Sequence, residues 1–206
     1  MKSGAQVYDR TTSIGYSHSK RGITVATDSG WTIKSKAIVF ASGYETREFL
    51  PKNIVRFKST YALISEPLDD LSWWKDRSLI WGTGDPYVYM RTTRDGRVLV
   101  GGKDDNVLKP QNRDRQIGKK SDELIHSFHT VFPRRVIEPA FAWAGAFGST
   151  KDGLAYIGKH PSFPKTYFAL GFGGNGITFS QIAARIVTDL FVGRRNQDAA
   201  VFSFER

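Results

Sequence analysis

The sequence predicts an α/β (mixed α+β) fold, in which helices and β-sheets contribute to one globular chain. Three observations predict it. Residues 37–41 and 166–170 are continuous apolar runs that end in glycine turns, a pattern typical of buried strands. Residues 87–101 read as an antiparallel hairpin with an Asp-Gly turn at its tip. Residues 121–132 and 177–191 carry apolar side chains at helical spacing.

Composition excludes several classes of protein. The chain has 206 residues, of which 40% are hydrophobic and 24% charged, as in ordinary globular proteins. It has no cysteine, which excludes disulfides, iron–sulfur clusters and thiolate zinc sites. Its apolar runs are far shorter than the roughly 20 residues of a membrane span, and no apolar stretch follows the first residues as in a signal peptide. We therefore expect a cytoplasmic protein without a transmembrane segment.

The charge balance is basic, with 30 basic and 20 acidic residues and a formal net charge of +10. A basic surface can attract nucleic acid or a phosphorylated cofactor. Here the charges are scattered, and no nucleic-acid-binding motif accompanies them. A nucleic-acid-binding module stays open as an alternative, but we favour a solvated basic surface and predict no nucleic-acid partner.

The first third of the sequence reads as strands. Residues 23–27 and 31–34 flank Asp28-Ser29-Gly30, a hairpin turn signal. Residues 37–41 are apolar at every position, which predicts a strand buried on both faces, as in a parallel sheet. The run leads into a turn at Ser42-Gly43, and open α/β sheets bind ligands where such strands end.

The middle third combines a hairpin, a loop and a helix. Residues 87–92 and 97–101 form the predicted hairpin strands, and the polar stretch 103–120 predicts a surface loop. A helix is predicted to open at Ser121, with acidic residues in its first turn, and to stop at Pro133. His126 and His129 lie three residues apart on it. Metal binding would need further ligands nearby, so we favour solvated histidines and predict no metal site.

The last third contains a glycine-rich turn between a strand and a helix. Gly171, Gly173 and Gly176 have the G-x-G-x-x-G spacing, followed by a helix that Gly193 is predicted to cap. No second strand with an acidic residue follows, so a complete dinucleotide fingerprint is not present. A close backbone approach to a ligand and a tight connection without one both remain open. The predicted apolar side of the helix comprises Ile177, Phe179, Ile182, Ala183, Ile186, Val187, Leu190 and Phe191.

Five segments resemble one enzyme family. Residues 143–158 (WAGAFGSTKDGLAYIG) and 171–178 (GFGGNGIT) closely resemble the C-terminal signature of the D-amino-acid oxidase, glycine oxidase and sarcosine oxidase superfamily. Residues 61–67 (YALISEP) and 95–102 (DGRVLVGG) follow that family's order. The run 37–44 looks like the family's strand with an Ala-Thr-Gly-type turn. The resemblance covers nearly the whole chain.

This resemblance implies an FAD-dependent oxidoreductase with a discontinuous flavin domain and an inserted β-rich substrate domain. Residues 1–47 and 146–206 would be flavin-domain pieces, and residues 48–145 most of the substrate domain. In the family, the glycine turn and the following helix start lie against the flavin ring, where a helix N-terminus stabilises negative charge. The implied cofactor-binding residues are Ser42, Gly43, Gly173, Gly174, Asn175, Gly176, Ile177 and Thr178.

Two features depart from the family pattern. The N-terminal dinucleotide-binding βαβ unit is missing, so the chain looks like the C-terminal half of a longer or split enzyme. We expect it to hold FAD weakly or not at all when alone, and to be inactive alone. Arginines that bind the substrate carboxylate in glycine-oxidase-like members are replaced by Phe147 and Gly174. Arg91, which alternates with Tyr87 and Tyr89 on one strand face, is the substitute candidate, although a solvent-facing arginine beside packed tyrosines is the alternative.

The resemblance thus predicts oxidation of a small-molecule amine, amino acid or hydroxy acid by hydride transfer to flavin. It offers no catalytic residue. Its expected partners are the missing N-terminal half or a second copy of the chain. The alternative is a non-catalytic chain, either a truncated remnant or a subunit that completes a partner polypeptide.

Overall fold

A computed structural model describes residues 4–43, 50 and 54–206. The chain divides into two compact units, one formed by Met1–Asn53 with Asp152–Arg206 and the other by Ile54–Lys151. The predicted boundary at residue 47 falls outside the described residues. In chain order the elements are β1 (Ser13–His18), β2 (Ile23–Thr27), β3 (Thr32–Ser35), β4 (Ile38–Phe40), β5 (Arg56–Ser65), β6 (Ile80–Trp81), β7 (Val88–Thr92), β8 (Val98–Asp105), α1 (Pro110–Asp114), α2 (Ile117–Val131), β9 (Pro139–Ser149), β10 (Tyr156–Lys159), β11 (Thr166–Leu170) and α3 (Gly176–Phe191).

The first unit begins with a three-stranded antiparallel sheet in the order β1-β2-β3. Its β2–β3 turn is the predicted hairpin at Asp28-Ser29-Gly30. The Thr27 amide donates to the Trp31 carbonyl oxygen at 3.0 Å, and Gly30 has φ +83°, which a residue without Cβ adopts at little cost. The hairpin prediction is confirmed.

A second sheet in this unit has the order β10-β11-β4, with β4 parallel to β11. The two apolar runs of the sequence therefore do lie side by side in one sheet, as the parallel-sheet pattern predicts. All five residues of β11 are buried. The prediction that residues 37–41 are buried on both faces is wrong, because β4 is an edge strand and the Val39 side chain is 49% exposed.

Helix α3 packs against β10 and β11 through a small apolar cluster that includes Ile157, Ala169, Phe179 and Ile186. The predicted apolar side is wrong at both ends of the helix, since Ile177 and Phe191 are exposed. The predicted cap at Gly193 is confirmed. Gly193 has φ +76°, its amide donates to the Leu190 oxygen, and the Arg194 amide donates to the Asp189 oxygen at 2.8 Å. This is a Schellman ending.

The second unit is built on a five-stranded antiparallel sheet in the order β6-β7-β8-β5-β9. Strands β7 and β8 form the predicted hairpin, and Gly96 in its turn has φ +81°. One face of the sheet packs against α2, with Leu63, Val100, Leu124 and Phe128 fully buried between them. This face forms the core of the unit.

The prediction of a surface loop over residues 103–120 is wrong. Strand β8 continues to Asp105, α1 occupies Pro110–Asp114, and α2 begins at Ile117 instead of Ser121. The Lys120 side chain explains the earlier helix start, because its Nζ donates to the Lys103 carbonyl oxygen at 2.9 Å and lies 3.3 Å from the Asp105 carboxylate. These long-range contacts favour helix where local composition favours a loop.

A β-bulge interrupts the pairing of β5 with β8. Tyr61 pairs with Gly102 and Ser59 pairs with Asp105, so two residues, Lys103 and Asp104, stand opposite Thr60. The bulge is held by φ +126° at Gly102 and φ +55° at Lys103. It directs Asp105 towards α2 and leaves Asp104 beside Thr60 and the Tyr87 side chain.

The two helix histidines differ in their surroundings. His126 is exposed, as predicted, but His129 is partly buried and its Nε2 atom has no hydrogen-bond partner among the described residues. Within 4–43, 50 and 54–206 no cluster of three or more His, Cys, Asp or Glu residues could hold a metal ion. In the same residues no helix combines the length and the apolar composition that crossing a membrane requires.

Candidate functional site

Two turns of the first unit begin at the same end of its mixed sheet, where strands β4 and β11 stop. Phe168 of β11 pairs in parallel with Phe40 of β4, so the carboxyl ends of both strands lie at the same end of the sheet. Ser42 and Gly43 follow β4, with Gly43 at φ +63°, and both are exposed. The structure therefore brings the Ser42-Gly43 turn and the start of the glycine-rich turn to the carboxyl ends of neighbouring parallel strands, where open α/β sheets bind ligands.

The glycine-rich turn is an open stretch of backbone. Gly171 has φ +73° and Gly173 has φ +52°, and the Asn175 amide donates to the Phe172 carbonyl oxygen at 3.0 Å. A Cβ atom added at Gly173 or Gly176 would meet no atom within 4 Å. The turn thus needs glycine at residue 173 for its conformation, while the glycine at residue 176 leaves space beside the backbone.

Helix α3 starts without a side-chain cap. Asn175 occupies the N-cap position but makes no capping hydrogen bond, and the first helical bond runs from the Phe179 amide to the Asn175 oxygen at 3.0 Å. The amides of Gly176, Ile177 and Thr178 precede any acceptor within the helix. Such a helix start carries partial positive charge and favours an electron-rich group. The 93% exposure of Ile177 and the exposure of Gly174 leave this start open to solvent.

These features fit the edge of a flavin ring. An electron-rich ring edge needs hydrogen-bond donors and close backbone approach, and the uncapped helix start with its open glycines supplies both. The predicted cofactor residues 42–43 and 173–178 therefore lie on two neighbouring turns of the same unit. No side chain among them is a proton donor or acceptor suited to acid–base catalysis.

The second unit carries an aromatic layer on the sheet face that α2 does not cover. The Trp81 ring stacks on the Tyr87 ring with centroids 5.0 Å apart and planes 9° apart, and Tyr89 stacks beside them at 6.0 Å from Trp81. Tyr89 lies over the backbone of Gly101, where a Cβ atom would collide with its ring. The sequence indicated Tyr87 and Tyr89, but nothing in its pattern brings Trp81 to them.

Arg91 lies on β7 with Tyr89, and Tyr87 directly precedes that strand. It is exposed, its Nη1 is 3.5 Å from the Thr92 carbonyl oxygen, and no ion pair holds it among the described residues. Its charge lowers the pKa of Tyr89, although desolvation by burial dominates and leaves that pKa raised. Arg91 is thus available for a ligand carboxylate, whereas Phe147 on β9 and Gly174 in the glycine turn offer no cation.

The structure adds Asp104 to this face. The half-buried Asp104 carboxyl has a raised pKa, caused first by desolvation and opposed by hydrogen bonding to Thr60, by the charge of Lys58 and by hydrogen bonding to Tyr87. Burial and the Asp104 charge in turn raise the pKa of Tyr87 to about 12. Sequence reasoning missed Asp104 because a bulge sets its direction. The adjacent Gly101-Gly102 pair was the one signal of that bulge.

Sequence comparison identifies the family. Residues 1–190 match the profile of the family described as DAO, FAD dependent oxidoreductase. The chain belongs to this FAD-dependent oxidoreductase family. The resemblance inferred from the sequence motifs is confirmed.

Curated members of the family are similar in sequence to this chain over about half of their own length. The chain is 28% identical to a glycine oxidase of Bacillus licheniformis over 194 residues, which cover 92% of this chain and 50% of that protein. It is 26% identical to a glycine oxidase of Geobacillus kaustophilus (strain HTA426), over 99% of this chain and 53% of that protein. The chain thus spans about half the length of the curated relatives it matches.

Solved structures share the fold. A glycine oxidase from Geobacillus kaustophilus superposes with a TM-score of 0.75 at 22% identity, covering 98% of this chain and 54% of that one. An L-proline dehydrogenase from P. horikoshii superposes with a TM-score of 0.73 at 18% identity, covering 98% and 55%. The predicted mixed α/β fold is confirmed by this likeness.

Proposed function

We propose that the chain is part of an FAD-dependent oxidoreductase that oxidises a small amine or amino acid by hydride transfer. The unit formed by Met1–Asn53 and Asp152–Arg206 would contribute to the flavin domain, and Ile54–Lys151 to the substrate domain. The observation that carries the proposal is the open, uncapped start of α3 after the glycine-rich turn, in a chain of this family.

The residues of the turn would hold the ring of the cofactor. Backbone amides at Gly176, Ile177 and Thr178 would donate to its electron-rich edge, and Ser42 with Gly43 would contact it from the neighbouring turn. When bound, FAD supplies the electron-accepting ring, so the protein needs little acid–base machinery of its own. These preorganised amides would stabilise negative charge on the edge of the bound ring.

The residues of the aromatic layer would bind the substrate. Tyr87 and Tyr89 offer flat apolar surface with hydroxyl groups, and Arg91 offers a planar cation for a carboxylate. Relatives described as glycine oxidases and a structural neighbour described as an L-proline dehydrogenase act on amino acids by their names, which supports this substrate class. The raised pKa values of both tyrosines keep them protonated at neutral pH, as hydrogen-bond donors.

The partner that we propose is a further polypeptide segment or a second copy of the chain. Apolar side chains at Val7, Tyr8, Ile14 and Trp31 in the first unit are exposed. Contiguous exposed apolar surface marks interaction sites in soluble proteins, and these side chains are the candidates for such a surface here. A polypeptide that covers it would complete the unit.

A titration with cofactor fragments tests the flavin site. Riboflavin contains the ring alone, and ADP contains the other half of FAD. We expect the purified chain to quench riboflavin and FAD fluorescence with similar, weak affinity, and ADP not to compete, since the proposed contacts reach only the ring. Saturable ADP binding without riboflavin binding would contradict the proposal.

A further inference from the structure

The strongest unassigned feature is the Asp104 carboxyl on the open face of the second unit. Its Oδ1 atom is buried and has no hydrogen-bond partner among the described residues. A buried carboxylate oxygen without a partner is costly, since it loses water without gaining a donor. Such an atom in a folded protein calls for an explanation, and a bound group that donates to it is one.

Neighbouring charges do not satisfy this carboxyl. Lys58 acts on it only through space, because the ion pairs found within the described residues do not include Lys58 with Asp104. Asp105 points the other way, where it accepts from the Tyr61 hydroxyl at 3.1 Å and pairs with Lys120. The Asp104 carboxyl hydrogen-bonds to Thr60 and to Tyr87 of the aromatic layer, and its Oδ1 atom is left as an acceptor without a partner among the described residues.

The aromatic layer supplies the second half of a cation site. The side chains of Trp81, Tyr87 and Tyr89 are stacked beside one another, and Trp81 keeps 57% of its surface exposed. The faces of these rings carry negative electrostatic potential, which attracts ammonium groups. The Lys103 amide donates to the Tyr87 carbonyl oxygen at 3.1 Å, which brings the neighbouring Asp104 to the aromatic layer, where its carboxyl hydrogen-bonds to Tyr87.

We propose that Asp104, with the Trp81–Tyr87–Tyr89 layer, is a subsite for an organic cation, namely an alkylammonium group of the substrate. The ammonium donates to Asp104 Oδ1 and lies against the ring faces. Arg91 lies two strand positions beyond Tyr89, about 7 Å along the strand at 3.3 Å per residue, and remains the candidate for a substrate carboxylate. The assignment of the ligand as substrate rests on the proposed function.

The test titrates the full chain, without flavin, with butylammonium chloride and, separately, with 1-butanol at matched ionic strength. The two probes share shape and apolar surface but differ in charge. Binding is followed by 1H–15N chemical shifts, including the Trp81 indole N–H. We expect butylammonium to shift Trp81 and the Asp104 amide in a saturable way, and 1-butanol to produce no saturable shift.

Variants assign the effect to the carboxylate. Asp104→Asn keeps the shape and removes the charge, and we expect it to weaken butylammonium binding about tenfold or more, as loss of a charged hydrogen bond does. The matched control Asp69→Asn removes an exposed charge of the same unit and leaves binding unchanged. Trp81→Leu weakens butylammonium binding while leaving the rest of the spectrum in place.

Three outcomes overturn the subsite. They are equal binding of butanol and butylammonium, unchanged affinity in Asp104→Asn, and an equal loss in Asp69→Asn, which would indicate a diffuse charge effect. Because the titration contains no flavin, failure of this subsite and failure of the flavin site are separate results. A chain that binds riboflavin but not butylammonium overturns this inference alone.

Discussion

Two glycines of the turn before α3 differ in what they tolerate. Gly173 has φ +52°, whereas Gly176 is the first residue of the helix and does not have a positive φ. A Cβ atom at either position meets open space. Valine at residue 173 therefore strains the backbone, and valine at residue 176 fills space beside the helix start without straining the fold.

We expect Gly176→Val to leave thermal stability nearly unchanged and to abolish riboflavin binding. The physical reason is that its side chain occupies the space through which the ring must approach the backbone. Thermal melting without flavin, together with riboflavin titration, separates the two effects. The comparison variant Gly173→Val should lose about 1–2 kcal/mol of stability. Unchanged riboflavin affinity in Gly176→Val would make the turn a structural connection only.

The Asp104 carboxyl predicts an unusual pH dependence. Its pKa is raised in the folded protein, so folding favours its protonated form. The stabilisation that the folded protein gains from a protonated Asp104 is fully present below the unfolded-state pKa. It is lost as pH rises through the folded-state pKa. We therefore expect Asp104→Asn to be more stable than wild type at pH 7, with the difference vanishing at acidic pH.

Melting temperatures of both proteins between pH 3 and pH 7 measure this effect. If Asp104→Asn is less stable than wild type at pH 7, the contacts of the carboxylate stabilise the fold by more than its burial costs, which would contradict the prediction.

At the scale of elements, the end of α3 depends on one backbone conformation. Gly193 at φ +76° allows its own amide and that of Arg194 to return to the helix carbonyls. We expect Gly193→Ala to cost about 1 kcal/mol in chemical denaturation, because alanine avoids this conformation. In Gly118→Ala, within the first turn of α2, the same added methyl group should be neutral or slightly stabilising. Equal losses in both variants would contradict the role of the cap.

Elements with strong local signals could be predicted from the sequence. The hairpins at Gly30 and Gly96, strand β11 and the cap at Gly193 follow from turn residues and apolar runs. The start of α2 could not, because the contacts of Lys120 with β8 overrule a polar local composition. The exposure of Val39 could not either, because an apolar run does not reveal whether its strand lies at an edge.

At the scale of the whole molecule, the exposed apolar surface of the first unit predicts self-association. A cavity of about 490 Å³ is lined by Tyr8, Trp31 and Ile33 among others, and Trp31 is 73% exposed. We expect the sedimentation coefficient of the purified chain to rise with concentration, and Trp31→Ser to reduce that rise. Val136→Ser, which removes an equally exposed side chain from the second unit, should not. A concentration-independent monomer would contradict the prediction.

The residues of the candidate site could be predicted only in part from the sequence. The glycine turn has a local pattern, and the tyrosines alternate along one strand, so both could be named in advance. Trp81 and Asp104 join the tyrosines from different strands, and their convergence depends on sheet order and on the bulge. Pairing between strands that are distant in the chain produces no periodic pattern in the sequence.

The bulge in β8 also bears on how this surface can change over evolutionary time. Lys103 and Asp104 together stand opposite Thr60, while Gly102 and Asp105 keep their own partners on either side. Deleting Asp104 would let Lys103 take the regular place opposite Thr60, and the flanking register would be retained. Loss of a single codon would thus reverse the sign of the charge beside the tyrosines, from one that attracts amines to one that repels them.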